Sequence, residues 1–395
     1  MIVKAVHVAV LNFPVSHYLS AWNLCSRTWH ILVFIKTEDG TVGIGEGTPY
    51  WSDVYEDYKE ALRLSMMINR LPLDKALSLL KAVESEKFKR NEQVKYGAFL
   101  AIESALLDVA SKIYKKSVAD LLGGIYRVEV PVAGTVFLSH PLKMAEELKN
   151  YIRKGVKHIK FKISPNLNEL EILLRTFKET IEQMGEDVVL RADANGCFKD
   201  FDEAYQAIRL MEKYGVGVVE QPMPRNKLRE ITKIRKKCYP SIEIMLDESL
   251  RKPSDIELFA QIEVADAVNF HPSKLGCLTI TREAILKTQE LGMKANIGSA
   301  LMTDIGLSRY LNLAASIPKL NYPLEEIGLY NFYGYGITKN PPEVINGNIK
   351  VYNVGIIDLY LGLMKKFEIK KSCFLLESAR CMASRVLANI SKRGV

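Results

Sequence analysis

The sequence lacks the marks of several large protein classes. No apolar run reaches membrane-spanning length without a charge, and the opening "MIVKAVHVAVLNFP" lacks the apolar core and cleavage site of a signal peptide. No CxxC pair or zinc-type spacing occurs among the six cysteines. We therefore expect a soluble, cytoplasmic protein with reduced thiols and no membrane partner.

The sequence also lacks a long basic block. The 54 basic and 46 acidic residues give a formal charge of +8, and this excess is spread over short groups such as RKKC and KRGV. No motif interleaves aromatic with basic residues, so we expect no nucleic-acid partner. A nucleic-acid or protein-binding module has only the net charge in its favour, and its binding would weaken steeply with salt.

The N-terminal region has the pattern of a small α+β domain. The stretch "ILVFIKTEDGTVGIGEG" alternates on both sides of an Asp-Gly turn, which predicts a β-hairpin. From about residue 55 the spacing becomes helical, and "ADLLGG" ends this part with glycine. We assign residues 1–125 to an N-terminal capping domain.

After Gly124, short apolar runs alternate with amphipathic helical stretches. Seven such runs, from VPVAGTVF to MKANIG, predict parallel βαβ units. We predict an α/β fold, a modified (β/α) TIM-type barrel over residues 126–360 with an incomplete eighth strand near "LNYPLEEI". The alternative, a doubly wound open sheet, would need a glycine-rich phosphate turn, which is missing. Residues 361–395 are expected to form a helical tail.

Charged side chains end successive predicted strands. Lys160 and Lys162 end one strand, and Asp193, Glu220 and Asp247 end the next three, with a spacing of 27 positions from each acid to the next. In a parallel barrel these groups meet at the C-terminal mouth. Three converging carboxylates need a cation, and all-oxygen ligation suits Mg²⁺, with Mn²⁺ as second choice.

The two lysines predict proton transfer beside that metal. Like charges lower an ammonium pKa, so a neutral amine would be available as a base. We assign Lys162, nearest the mouth, as the base and Lys160 as its electrostatic neighbour. The substrate would be a small-molecule carboxylate whose α-proton is removed.

Together these motifs resemble the enolase superfamily. The resemblance is carried by Lys-x-Lys at 160–162, "DANG", "EQP", "DES" and "AIESALLDVASKIYKKSVADLLGG", and it spans about residues 1–360. It is strongest for the branch of muconate lactonizing enzyme and the dipeptide epimerases. The resemblance implies Mg²⁺-assisted abstraction or return of a proton α to a carboxylate, a loop at about 13–24 that closes over substrate, and assembly into a homo-oligomer.

The sequence departs from that branch at the sixth and seventh strands. His271 in "AVNFHPSKLGCL" takes the place of a second catalytic lysine, and Lys274 follows in the turn, where we expect a rim lysine. Met302 stands where the family often has glutamate, with Asp304 nearby but out of register. No histidine ends the seventh strand, which disfavours a His-Asp dyad of the mandelate racemase type.

These departures favour a reaction with one base, a cycloisomerase or dehydratase that uses Lys162. A racemase or epimerase of dipeptides or N-acyl amino acids, with His271 as second acid/base, is the first alternative. A catalytically silent metal-binding protein of the same fold is the second. Candidate substrate contacts are Tyr18, Asn195, Lys274 and Ser299, and His17 and Trp22 could add to an aromatic lid.

Overall fold

The computed structural model describes residues 1–19, 24–50, 52–325, 336–352 and 368–374, with the backbone alone for 16–19, 24–26 and 368–374. Two apolar cores are present, one under the N-terminal sheet and one around the parallel strands. None of the helices in the described ranges is both long and apolar enough to cross a bilayer. Cys197, Cys238 and Cys277 are buried free thiols.

The N-terminal unit packs helices on an antiparallel sheet. Its elements are β1 (Val3–Leu19), β2 (Leu24–Thr37), β3 (Val42–Gly47), α1 (Val54–Ile68), α2 (Leu73–Lys89), α3 (Tyr96–Tyr114) and α4 (Val118–Leu122). The predicted hairpin turn joins β2 and β3, where Gly40 has a φ of 89° and Asp39 accepts the amide of Thr41. The predicted hairpin and the helical structure predicted from about residue 55 are therefore confirmed.

In this unit β3 and α3 pack closely against each other. A Cβ atom on Gly45 or Gly47 would collide with the backbone of α3. The alternating glycines of "GIGEG" therefore leave one face of the strand flat enough for the apolar helix to lie directly on it.

The second unit is a nearly closed barrel of parallel strands in the order β10-β9-β8-β7-β6-β5-β4-β11. The strands are β4 (Glu129–Val136), β5 (His158–Lys162), β6 (Val189–Asp193), β7 (Val216–Glu220), β8 (Glu243–Leu246), β9 (Ala267–Phe270), β10 (Lys294–Ile297) and β11 (Leu324–Glu325). The helices are α5 (Pro141–Arg153), α6 (Leu167–Met184), α7 (Phe201–Lys213), α8 (Leu228–Cys238), α9 (Asp255–Gln261), α10 (Pro272–Leu275), α11 (Leu278–Glu290) and α12 (Asp304–Ala315). The predicted barrel is confirmed, and its eighth strand, β11, is only two residues long.

Among the described residues, two further strands follow the barrel. The strand β12 (Asn348–Lys350) pairs antiparallel with β4, and β13 (Glu368–Phe374) pairs antiparallel with β1. The predicted helical tail is therefore wrong over 368–374. The segment alternates around Ile369, Ser372 and Cys373 too weakly to show a strand, and its partner lies more than 350 residues earlier.

Two buried carboxylates of the N-terminal unit lie against the barrel. Glu84 of α2 and Glu103 of α3 accept amide hydrogen bonds from Cys277, Leu278 and Thr279, at the first turn of α11. Burial raises the pKa of Glu84 to about 8, helped by the charge of Glu103, and burial raises the pKa of Glu103 to about 7.

We expect these pKa values to make stability fall as pH rises from about 5 to about 8. Both folded-state pKa values lie above the ordinary value of 4.5, so in this window the folded state keeps protons that the unfolded state releases. Glu84→Gln should flatten the slope, because glutamine cannot ionise. Urea unfolding of both proteins at pH 5.5, 7 and 8 measures the slopes, and equal slopes would contradict the assignment.

Candidate active site

Three predicted site residues lie side by side at the ends of adjacent strands. The parallel register pairs Lys162 of β5 with Asp193 of β6, and Asp193 with Glu220 of β7. All three side chains are buried, and Nζ of Lys162 lies 2.6 Å from Oδ2 of Asp193. The spacing of one βα repeat thus brings these groups together as predicted.

Asp247 follows β8 and completes the row of acids. Gln221 holds this strand end, because its Oε1 accepts the amides of Asp247 at 3.0 Å and Ser249 at 3.1 Å. Gln221 itself has a φ of 39°, in the left-handed region that side chains other than glycine and asparagine rarely adopt. The backbone after the "EQP" motif is therefore bent so that one side chain fixes the next strand end.

The three acids are each turned toward a cation of the protein. Asp193 accepts from Lys162, Glu220 lies 3.5 Å from Nζ of Lys160, and Asp247 accepts from Lys274. Within the described ranges, no three carboxylate, imidazole or thiol groups are arranged as a ready ligand set for one metal ion. The lysine contacts separate the acids that the sequence predicts as ligands.

Glu220 nevertheless has a raised pKa, unlike the other two acids of the row. Burial and the neighbouring charge of Asp193 raise the pKa of Glu220 to about 8. Its Oε2 accepts no hydrogen bond from the described residues, although Nε of Arg191 lies 3.3 Å away. Burial also raises the pKa of Asp193, but Lys162 and Lys160 outweigh it and lower the value. A buried carboxylate in this state fits a cation-binding role.

A second polar layer, which the strand-end pattern does not predict, lies beneath this row. Glu325 of β11 accepts from Lys160 at 2.7 Å and from Arg191, and Asn269 and Asn296 donate to its Oε1 at 3.1 and 2.9 Å. Part of this layer could have been predicted from the two-residue period of side chains along a strand. Arg191 and Asn269 stand two residues before Asp193 and His271 and so face the same side of their strands.

This layer sets the charge state of Lys160. Burial lowers the pKa of its ammonium, but the charges of Glu220, Glu325 and Asp193 outweigh burial and raise the pKa above its ordinary value. The lowering by a like charge is expected for Lys162, and Lys160 keeps the positive charge that this expectation requires. Carboxylates on three sides keep this group cationic.

His271 lies on the opposite side of the barrel from Lys162. It directly follows β9, the sixth strand, whereas Lys162 ends β5, the second of eight. The side chain is buried, and its Nε2 lies 3.2 Å from Oδ1 of Asp247. Burial and the charge of Lys274 lower the pKa of the imidazole. Neither ring nitrogen has a well-directed hydrogen bond among the described residues.

The expectation of a rim lysine at 274 is wrong. The side chain of Lys274 is completely buried, its ammonium pairs with Asp247, and the ammonium lies 4.5 Å from the ring centre of Tyr50. The short helix α10 turns the chain back into the barrel directly after His271, which spacing alone does not reveal. The Tyr50 ring, from the loop after β3, also lies 5.7 Å from the His271 ring.

The other predicted substrate contacts have different outcomes. Asn195 borders the site, accepting from Lys162 at 3.0 Å and donating to Glu248 at 3.0 Å. Ser299 is buried after β10 and donates to the carbonyl of Ala300. Met302 packs in the barrel core. The side chains of His17 and Tyr18, and all of Trp22, lie outside the described residues.

Gly298 limits the space around His271. A Cβ atom at this position would collide with Nε2 of His271 and Oδ1 of Asn269. We expect Gly298→Ala to displace the imidazole and to lower the free energy of unfolding by about 1–3 kcal/mol. Urea unfolding measures the loss. Gly217→Ala on β7 is the control, because the nearest atom to its Cβ is 3.9 Å away. Equal stability of the two variants would contradict the prediction.

Two family comparisons match almost the whole described chain. The Enolase C-terminal domain-like family matches residues 143–355, which include every strand-end group above. The N-terminal domain of the mandelate racemase / muconate lactonizing enzyme family matches residues 5–123. The chain belongs to the enolase superfamily. Within that superfamily its relatives fall in the branch of muconate lactonizing enzyme and the dipeptide epimerases.

This member of the superfamily is similar to enzymes of known activity. It is 24% identical to the N-succinyl-L-Arg/Lys racemase of Bacillus cereus, over 80% of this chain and 85% of that protein. It is 27% identical to the L-Ala-D/L-Glu epimerase of Bacillus subtilis, over 72% and 77%. The muconate lactonizing enzyme of Pseudomonas fluorescens, solved with muconolactone, has the same fold, with a TM-score of 0.81, 20% identity and coverage of 93% and 99%. This protein is therefore an enzyme, either an isomerase or a lyase.

Proposed function

We propose that this enzyme moves a proton to and from the carbon α to a substrate carboxylate, acting from both faces of that carbon. It would be a racemase or epimerase with Lys162 and His271 as the two acid/base groups. The placement of these side chains at the second and sixth of eight strands carries the proposal. A planar intermediate bound between opposite strands can be protonated on either face, which a one-base reaction does not need.

Lys162 has the contacts of the acid/base on the first face. Its Nζ donates to Asp193 and Asn195, which aim it at the barrel mouth. Lys160 is held one level below by Glu325 and is the electrostatic neighbour. When the amine of Lys162 takes the α-proton, protonated His271 returns one on the other face, and the reverse direction exchanges these roles.

The acids Asp193, Glu220 and Asp247 are proposed to hold Mg²⁺ or, as second choice, Mn²⁺. The orphan oxygen and raised pKa of Glu220 support this assignment. The bound ion supplies positive charge that stabilises the substrate carboxylate as the α-proton leaves. Titration calorimetry should show Mg²⁺ binding to the wild-type protein and its loss in Glu220→Gln. Equal binding by both proteins would show that Glu220 is not a ligand of the metal ion.

The substrate class is proposed to be N-acyl amino acids or dipeptides. The names of the racemase and epimerase relatives support this class. The test is exchange of the α-proton in D₂O with Mg²⁺, using N-succinyl-L-lysine, L-Ala-L-Glu, acid sugars and muconate. Exchange accompanied by inversion of configuration is the expected result. Exchange without inversion would contradict a two-sided reaction.

A one-base cycloisomerase or dehydratase is the second candidate. Tyr50 lies beside the His271 ring, and this cover could keep the imidazole from the substrate. Only Lys162 and the metal would then take part. Conversion of muconate, unaffected by His271→Ala, would favour this reaction. Mg²⁺ binding with no exchange from any compound would favour a silent protein of the same fold.

A further inference from the structure

The capping domain is hydrogen-bonded to the barrel at the segment that follows His271. Glu84 of α2 accepts the amide of Cys277 at 3.1 Å, and Glu103 of α3 accepts the amides of Leu278 and Thr279 and the hydroxyl of Thr279. These amides open α11, and the side chain of its N-cap residue, Cys277, does not accept a backbone amide of the first turn. The capping domain therefore supplies acceptors that this helix lacks locally.

The segment that joins His271 to the start of α11 is short. Five residues lie between His271 and Cys277, and the first four of them form the short helix α10, which carries Lys274. Gly276, with a φ of 83°, lies so close that a Cβ there would collide with the carboxylate of Glu84. A shift of the α11 start should therefore also move the side chains of His271 and Lys274, because the five residues in between are too few to absorb it.

We propose that Glu84 and Glu103 are positioning residues for the reaction, which hold His271 and Lys274 in place from the capping domain. The inference rests on the proposed two-sided function. Both carboxylates are almost completely buried, at 0% and 3% exposure, which is costly for acids unless their hydrogen bonds are made. Among the described residues they accept hydrogen bonds from the barrel segment that carries one acid/base group, and none from the strand that carries the other.

A second carboxylate of the same domain provides a matched control. Glu46 of β3 accepts the amides of Thr303 at 2.9 Å and Gly306 at 2.8 Å, at the start of α12. It is equally buried and also caps a barrel helix from the capping domain. Its helix follows the seventh strand, which carries neither Lys162 nor His271. A loss of domain docking alone should therefore appear with either carboxylate.

The experiment compares Glu84→Ala with Glu46→Ala in the full chain. Lys162→Ala and His271→Ala first establish which isomer of N-succinyl-lysine needs which group for α-proton exchange. Glu84→Ala is expected to slow the His271-dependent exchange by about 10²-fold, the scale of a 1 Å misplacement, and to change the Lys162-dependent exchange less than about twofold. Glu84→Gln, which keeps an oxygen acceptor, should recover most of the rate.

A spectroscopic arm makes the test independent of turnover. The six histidines are labelled with ¹³C and ¹⁵N, and the spectrum of His271→Ala assigns the His271 signal. Glu84→Ala should displace this signal, and Glu46→Ala should leave it in place. If Glu84→Ala does not fold, Thr279→Val, which removes one donor to Glu103, takes its place with the same expectations.

The outcomes separate the two proposals. Equal loss of exchange on both faces, or an unmoved His271 signal in Glu84→Ala, would overturn the positioning role and leave ordinary domain docking. Exchange that depends on Lys162 for both isomers would overturn the two-sided function instead. In that case a displaced His271 signal still supports positioning of the segment, and an unmoved one still contradicts it.

Discussion

Lys162→Ala is expected to stop racemisation in both directions while removing α-proton exchange from only one isomer. Loss of a positioned acid/base group costs about 10²- to 10⁴-fold in rate. Lys162 is buried, and its neighbour Lys160 is paired with Glu325 one level lower, so Lys160 is not placed to take over. The measurement is mass-spectrometric exchange of each isomer of N-succinyl-lysine in D₂O.

His271→Ala is the mirror-image variant and should remove exchange from the other isomer. Lys162→Arg controls for charge, because guanidinium keeps the positive charge and does not release a proton. Mg²⁺ titration of each variant checks that the acids still bind metal. Exchange that persists from both isomers in Lys162→Ala would show that the base has been assigned to the wrong residue.

Asp108→Ala is expected to lower the free energy of unfolding by about 3–5 kcal/mol, the cost of leaving a buried charge without its partner. Asp108 of α3 accepts from Arg309 of α12 at 2.7 Å, and both side chains are only 1% exposed. Asp108 also accepts the amide of Ile44 at 2.9 Å, which ties β3 to the same group. Removing the Asp108 carboxylate leaves the Arg309 guanidinium buried between the two domains without its charged partner.

Urea unfolding checks this loss against Glu212→Ala, which breaks the more exposed pair with Arg209 on α7 and should cost under about 1 kcal/mol. The double variant Asp108→Leu with Arg309→Met should be more stable than Asp108→Ala, because it removes the stranded charge along with its partner. A loss below 1 kcal/mol for Asp108→Ala would mean that water reaches the guanidinium.

The upper row of the site was predictable because strand periodicity and the βα repeat act together. Parallel strands bring their C-terminal ends to one mouth, so Lys162, Asp193 and Glu220 could be placed together from spacing alone. The layer below was not predicted. Glu325 belongs to a strand of two residues, too short for any periodic signal, and its partners come from four other strands.

The positions of Lys274 and of β13 were missed for a different reason. Helix α10 has four residues, and its direction depends on Pro272, Gly276 and the carboxylate of Glu84 across the domain boundary. The strand β13 pairs with β1, far away in sequence. Local pattern does not carry such distant contacts, whereas the hairpin and α3, which depend on neighbours in sequence, were predicted.

The pairing of β13 with β1 also orders events during synthesis. Until residues 368–374 leave the ribosome, one edge of β1 has no partner from its own chain, although the rest of the capping domain was made first. An open edge strand is a template for pairing with other chains. Nascent chains of this enzyme are thus exposed to mispairing throughout translation of the barrel, and a chaperone that shields β1 would act in that interval.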